Sequence, residues 1–416
     1  MNFKILLTTS FLAAALGTTA QKNTGYAITG DGNNDFIWMN IRQVDIESGQ
    51  VTKTIFERSK TNYQLIDVNT GRKVAGTAPV GENIFSSADY PTSTFVAAAA
   101  LDARSNKLFF TPMRMGELRW LDLNVKGETP MFYTLRSPVL RLGDGTDEAN
   151  NITRMVIAPN GLGYAITNDG NNFFQFSTGK LPEITNLGNL IDDEANKGVS
   201  IHNKCTSWGG DMVADAFGKL YVISANKNVF VIDPETRIAT YKGAISGLPV
   251  NYTTNGAAVS NDGDIVVVSA NFFEGYYKVK LADLKATKIE GSDVRFNAAD
   301  LANSNFLLQK ERDEATRFEI GELPQVSFTN GNARVFPNPV TGNTFYITLD
   351  GQKEGRYQVI LSDLSGRTLQ TQKIQVTKGR QNVEMRIDGR PAKGVYMVQL
   401  VNTDNRVVFT DKVVLE

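Results

Sequence analysis

The sequence predicts an all-β chain, a β-propeller followed by a small immunoglobulin-like β-sandwich. Three observations carry this reading. A turn leading into a short apolar run recurs through the first three quarters of the chain. Amphipathic helical periodicity is almost absent from the same stretch. The last eighty or so residues then switch to alternating polar and apolar runs separated by turn residues, the pattern of half-buried strands in a sandwich.

The recurring unit is clearest in Phe217-Gly218-Lys219-Leu220-Tyr221-Val222-Ile223-Ser224 and Asp262-Gly263-Asp264-Ile265-Val266-Val267-Val268-Ser269. Asn160–Thr167, Ser105–Thr111 and Thr24–Thr29 follow it, and Ser304–Leu308 follows it loosely. A small-residue run precedes most of them, as in Ala98-Ala99-Ala100-Leu101-Asp102, Met212-Val213-Ala214-Asp215 and Ala257-Ala258-Val259-Ser260. A third run ending in a polar turn comes after, as in Val229-Phe230-Val231-Ile232-Asp233-Pro234. Small residues suit a crowded axis, and apolar runs suit strands buried between neighbouring sheets. A four-stranded sheet cannot bury both faces alone, so such sheets stack radially and close. The aligned starts at Gly25, Leu108, Gly163, Leu220, Ile265 and Phe306 predict six blades. The long first interval leaves seven as the alternative, since blade repeats run to about 40–50 residues. Because the chain begins at a middle strand near Gly25, the ring should be latched by a late segment, expected near Phe318–Leu323. An irregular two-sheet β-domain is the plainer alternative.

Composition narrows the function classes. The 416 residues carry a net charge of -1, which argues against nucleic acid or an anionic membrane as an electrostatic partner. One cysteine, Cys205, allows no intrachain disulfide. One histidine, His202, excludes a zinc site built on several His or Cys residues. No later apolar run is long enough for a transmembrane helix. Residues 1–20 combine Lys4, the apolar Ile5–Leu16 and the small-residue end Gly17-Thr18-Thr19-Ala20, which reads as a secretory signal peptide. No cysteine follows it, so no N-terminal lipid anchor is expected. The expected organisation is a signal peptide (1–20), a propeller (21–325), a linker (326–334) and a C-terminal domain (335–416).

That last domain opens on Val335-Phe336-Pro337-Asn338-Pro339, where two prolines impose extended backbone. Leu361-Ser362-Asp363-Leu364-Ser365-Gly366-Arg367, Gly394-Val395-Tyr396-Met397-Val398 and Lys412-Val413-Val414 follow in order. Together these pieces resemble the type A sorting domain that marks cargo of the Bacteroidetes type IX secretion system. The motif positions are Pro337, Asn338, Pro339, Asp363, Gly366, Arg367, Gly394, Tyr396 and Lys412. The resemblance implies an outer-membrane translocon as partner and a secreted, extracellular or cell-surface destination. It also implies frequent removal of the domain, with release or attachment to surface polysaccharide. An ordinary immunoglobulin-like module has the same strand pattern.

Candidate sites are few. Gly30-Asp31-Gly32-Asn33-Asn34-Asp35 and Asn168-Asp169-Gly170-Asn171-Asn172 are near copies. Their oxygens, from Asp31, Asp35 and Asp169, are of the kind that holds Ca²⁺, although Asp, Asn and Gly equally build tight turns. Leu142–Glu148 is a third acidic, glycine-rich loop. His202-Asn203-Lys204-Cys205-Thr206-Ser207-Trp208-Gly209-Gly210-Asp211 precedes an inner strand. His202, Trp208 and Asp211 are therefore candidates to line a ligand-binding mouth, the alternative being a packed tryptophan and a surface histidine. Asn271–Tyr277 is an aromatic loop suited to sugar rings or to simple packing. No catalytic residue set is visible and no cofactor beyond Ca²⁺ is implied. The favoured function is a binding module for a polysaccharide or protein. The alternative is a propeller hydrolase or lactonase-like enzyme using Asp102, Asp211 and Asp262 around a metal.

Overall fold

Ile265–Val268 is Ile-Val-Val-Val with all four side chains buried. A strand with no polar alternation needs apolar neighbours on both faces, and this constraint organises the larger part of the molecule. The computed structural model describes residues 23–32, 35–58, 60–75, 89–290, 296–321, 333–363, 368–389, 391–403 and 406–415. The chain divides into two compact units, Met1–Asp313 and Glu314–Glu416. The expected signal peptide and most of the expected linker lie outside the described residues.

Within the first unit, Ile265–Val268 pairs with Gly256–Val259 on one side and Tyr277–Val279 on the other, and Ala286–Lys288 completes an antiparallel meander. Four further sheets repeat this order. In chain order, the first sheet holds Thr24–Thr29, Asn40–Asp45 and Val51–Phe56. The second holds Val96–Asp102, Lys107–Pro112, Glu117–Asp122 and Met131–Arg136. The third runs from Ile152 to Gly188, the fourth is built on Asp211–Ala214 and ends with Ile238–Ala244, and the fifth is the meander above. The innermost strands are Val96–Asp102, Ile152–Ile157, Asp211–Ala214, Gly256–Val259 and Ala298–Ala302. Each touches the next, and the last touches the first.

Small side chains make this approach possible. A Cβ on Gly256 would come 2.9 Å from the Asp300 carbonyl carbon and 3.0 Å from the Leu301 nitrogen. A hydrogen bond from a backbone amide fastens each of the five joints. Val96 N donates to Trp38 O, Arg114 N to Asn151 Oδ1, Gly209 N to Asn168 Oδ1, Thr254 N to Ala225 O and Ala298 N to Ser269 O, over 2.9–3.2 Å. Every clasp joins a second-to-third-strand loop of one sheet to the segment at the start of the next inner strand.

The structure corrects two expectations. The described residues form five sheets in this unit, not six. Gln64–Asp67 and Lys73–Ala75 build no sheet of their own. They extend the outer edge of the second sheet, Gln64–Asp67 pairing in parallel with Met131–Thr134. The Ser304–Leu308 run contributes only an isolated bridge from Leu307 to Asp215. The late strand that joins Thr24–Thr29 is Ala298–Ala302, with Ile28 opposite Asp300 and Tyr26 opposite Ala302. The expected latch at Phe318–Leu323 instead falls in the helix Gln309–Gly321 and, beyond it, outside the described residues. Ala-Ala-Asp-Leu-Ala is small enough for the axis, whereas the charged Gln309–Glu314 run is not.

In the second unit, Arg334–Phe336, Thr344–Leu349 and Gln381–Arg386 form one sheet. Thr368–Val376, Gly355–Asp363, Gly394–Asn402 and Val407–Leu415 form the other. Alternation decides the facing: Tyr357, Val359 and Leu361 point inward with Tyr396, Val398 and Leu400, against Phe345, Ile347 and Leu349.

Gly210 precedes the inner strand Asp211–Ala214 at φ +87°, and a Cβ there would lie 1.9 Å from the Ile223 carbonyl oxygen. Gly210→Ala is expected to lower unfolding stability by about 2 kcal/mol or more, combining backbone strain with a steric clash that no side chain can relieve. Denaturant unfolding of the variant beside the parent checks it.

Candidate functional site

Inner strands that all start at one end of a ring bring their preceding loops, and the loops joining second to third strands, to that same end. Asp31, Asp35, Leu142–Glu148, Asn168–Asn172, His202–Asp211 and Asn271–Tyr277 therefore share one mouth, although they are spread over some 250 residues of sequence. Asp102 and Asp262 follow inner strands and lie at the other end.

The acidic loops hold protein partners. Arg58 Nη2 lies 2.6 Å from Asp31 Oδ2 and 2.8 Å from Asp35 Oδ2. Asn40 donates to the other Asp31 oxygen at 2.7 Å. Partial burial pushes the Asp31 carboxyl up, but the hydrogen bonds from Asn40 and Arg58 outweigh it and hold the group below its usual range. Asp169 closes its own turn, accepting from Thr167 Oγ1 at 2.7 Å and from the Asn171 amide at 2.6 Å. It belongs to a different sheet from Asp31 and Asp35. Among the described residues no three His, Cys, Asp or Glu side chains are grouped to hold a metal.

His202, Trp208 and Asp211 occupy one stretch but three environments. His202 Nδ1 lies 2.6 Å from Asp169 O and Nε2 3.2 Å from Leu190 O, so the ring pins two loops of the third sheet. Trp208 is half-buried, its Nε1 donates to His202 O at 3.2 Å, and Lys204 Nζ lies 4.8 Å above the ring. Asp211 is fully buried at the axis. It accepts from the amides of Ala257 at 2.6 Å, Met212 at 2.7 Å and Leu301 at 3.2 Å. The aromatic loop is packed: Tyr276 and Tyr277 are buried, and Tyr277 meets Tyr252 edge-on at 4.9 Å. Asp102 accepts from Ser105 and Arg104 within its own turn, and Asp262 lies 3.2 Å from Lys278. Asp102, Asp211 and Asp262 therefore do not converge.

Sequence reasoning missed two groups. One is Asp300, buried in Ala298–Ala302 beside Asp211. Its oxygens make no hydrogen bond of ordinary geometry, although the Ala99 amide and the Asp211 carboxyl face them. Burial pushes Asp211 up to about 8 against the pull of three amides. Burial and the neighbouring Asp211 charge push Asp300 up as well. Two carboxyls this close in an apolar axis cannot both ionise, so the pair retains a proton. The signal was a single acid inside a run of small residues. The fully buried Arg154 is a comparable case. It donates to the carbonyls of Thr167 and Asn168 while Nη1 finds no partner, and burial pushes it down to about 10.

The other group lines a cavity of about 360 Å³ between the second and third sheets at this mouth. Thr111, Arg114, Gly116, Glu117, Arg141 and Asn151 contribute to its wall. Glu117 accepts from Arg119 at 2.7 Å, Thr134 at 2.8 Å and Arg136 at 2.9 Å. Arg119 reaches on to the carbonyls of Tyr90 and Pro91, fixing the segment that leads into Val96–Asp102.

The sorting-motif residues are structural pins. Asn338 donates to Lys412 O at 2.6 Å and accepts from Val414 N at 2.8 Å, tying the Pro337-Asn338-Pro339 segment to the final strand. Tyr396 lies opposite Asp363 and donates to Ala392 O at 2.7 Å, and Gly394 pairs with Leu415. Gly366 and Arg367 lie outside the described residues.

Residues 334–416 match the secretion system C-terminal sorting domain family. The chain is accordingly cargo of the type IX secretion system and a secreted or cell-surface protein. No helix among the described residues is long and apolar enough to cross a membrane. No curated protein matches the chain. Among solved structures, it is similar to PorZ, a surface component of the type IX secretion system of Porphyromonas gingivalis. The identity is 15% over 94% of this chain and 51% of that one, with a TM-score of 0.33. The chain thus spans about half the length of PorZ. Virginiamycin B lyase from Staphylococcus aureus is similar at 9% identity over 76% of this chain and 83% of that one, with a TM-score of 0.29. A protein of unknown function from Bacteroides thetaiotaomicron is similar at 14% identity over 67% and 70%, with a TM-score of 0.37.

The acid pair at the axis makes stability depend on pH. Its folded-state pKa is raised above the unfolded value, so its contribution is complete below about pH 4 and is lost as pH rises through about 8. Unfolding free energy should fall across that window by about 1.4 kcal/mol per pH unit for each retained proton. Asp300→Asn should remove that acid's own share of the slope and leave the share of Asp211, which burial raises. Urea unfolding at pH 5, 6, 7 and 8 measures both, and an unchanged slope in the variant would show that Asp300 takes up no extra proton on folding.

Proposed function

We propose that the chain is a five-bladed β-propeller carried to the cell exterior by an immunoglobulin-like sorting domain, and that it acts there as a binding module. The ligand face is the mouth at which the inner strands begin. One observation carries this reading. The acids at that mouth are already engaged by the protein, whereas a cavity of about 360 Å³ remains open between two sheets. Pockets of small ligands start at about this size.

The hydrolase reading needs a base or metal-binding carboxylates that face a substrate. Asp211 is sealed at the axis by three amides, His202 lies against two backbone carbonyls, and Asp102 and Asp262 lie at the far end. This arrangement favours recognition over turnover.

The test is a panel of immobilised polysaccharides, neutral (dextran, mannan) and acidic (polygalacturonate, chondroitin sulfate), probed with the secreted protein by biolayer interferometry. At least one should bind with a Kd below about 1 mM. Replacing Leu142–Glu148 by a Gly-Ser loop of equal length should abolish that binding while leaving the unfolding transition in place. Cation-dependent ester, lactone or glycoside cleavage that disappears in Asp211→Asn would establish the enzyme reading instead.

A further inference from the structure

The cavity between the second and third sheets has a chemical character that its position alone does not give. Arg114 and Arg141 both line it and are exposed, and neither guanidinium makes an ion pair or a hydrogen bond among the described residues. The acid nearest in effect to Arg114 is Glu148, which already holds Lys204 at 2.9 Å. Among the described residues Glu117 is the only carboxylate in the wall, and Arg119 and Arg136 both bind it. Of these two guanidiniums Arg119 is buried and Arg136 is exposed. Thr111 is 4% exposed, lines the same cavity, and its hydroxyl has no hydrogen-bond partner.

The backbone holds this wall firmly. Arg114 takes φ +67°, and its amide is fixed to Asn151 Oδ1 at 2.9 Å. Gly116 and Gly145 allow the loops to close on each other, since a Cβ would lie 2.9 Å from Leu140 O and 2.8 Å from Arg114 O respectively. The Arg141 stem packs against Gly116, 3.3 Å from where that Cβ would be. Two planar forks on a rigid rim match an oxyanion carried by a small organic group.

We propose that this cavity is an anion subsite, taking a carboxylate or sulfate borne on a unit of about single-sugar size. The proposal rests on the binding-module reading and deepens it. Arg114 and Arg141 hold the anion. The anion can belong to a free acid or to a unit within a polymer.

Calorimetry of the secreted protein separates the cases, using glucuronate, polygalacturonate and chondroitin sulfate, with dextran as the neutral probe. Binding of an acidic probe should weaken with added salt and fall about tenfold in each of Arg114→Gln and Arg141→Gln. Arg141→Lys should recover part of the loss, and unfolding midpoints confirm that the variants fold. Uptake of glucuronate assigns the free acid, and uptake of the polymers alone assigns a chain unit; each supports the subsite if the arginine effect is present. Equal binding of dextran, or undiminished binding of acidic probes by the double variant Arg114→Gln/Arg141→Gln, overturns the anion subsite and leaves the binding module standing. If neither the four probes nor mannan bind, both readings fail.

Discussion

The first unit depends on one insertion. Ala298–Ala302, near its end, lies beside Thr24–Thr29, near its beginning, and becomes the innermost strand of the first sheet. No disulfide can reinforce the join, since the chain has one cysteine. Closure rests on ladder hydrogen bonds, on the fit of small residues at the axis, and on a clasp at each joint. The clasps need the ring: Ser269 O meets Ala298 N only if the late strand is home. Every loop at the mouth is positioned by an inner strand or by a clasp, so the geometry of the candidate site is a consequence of closure rather than of any one loop.

Closure also explains why charge sits where the core is tightest. Asp211 uses its two oxygens to bond amides of three inner strands, its own, Gly256–Val259 and Ala298–Ala302. It is a cross-brace that an apolar side chain could not supply. The arrangement brings Asp300 against it, and burial then favours the neutral acid over the ion. A group that would be a liability in isolation becomes acceptable when its proton is kept and its partner is a second acid.

What was legible in the sequence follows from range. Strand type is local, and runs such as Ile265–Val268 or the alternating Arg356–Leu361 declared themselves. The small residues of the inner strands were equally readable, and they implied a crowded axis. Sheet count was not local. The Gln64–Ala75 segment has strand chemistry, but its parallel seat beside Met131–Arg136 depends on where another sheet's edge happens to lie. The latch was misplaced for the same reason: which late segment reaches Thr24–Thr29 is set by closure of the ring, not by anything local to Ala298–Ala302. At the site, loop residues drew attention by their types. The partners that decide their roles were remote, Arg58 standing 27 positions from Asp31 and Arg136 19 from Glu117.

The pattern of pairing at the mouth says more than the residue types. Acids are the residues that catalysis or metal binding would call upon, and here they are engaged: Asp31 and Asp35 by Arg58, Glu117 by Arg119 and Arg136, Glu148 by Lys204. Such pairing fixes loops in place, which favours a rigid receptor over a reactive centre. The groups left over at the cavity are the guanidiniums of Arg114 and Arg141, so the field beside them points toward accepting negative charge from outside. Export sharpens the argument. A domain that ends its journey outside the cell meets partners at low concentration, and a site already held in shape loses less freedom on binding than one that must order itself. The rigidity that closure imposes on the mouth is therefore part of how such a site would recognise anything at all.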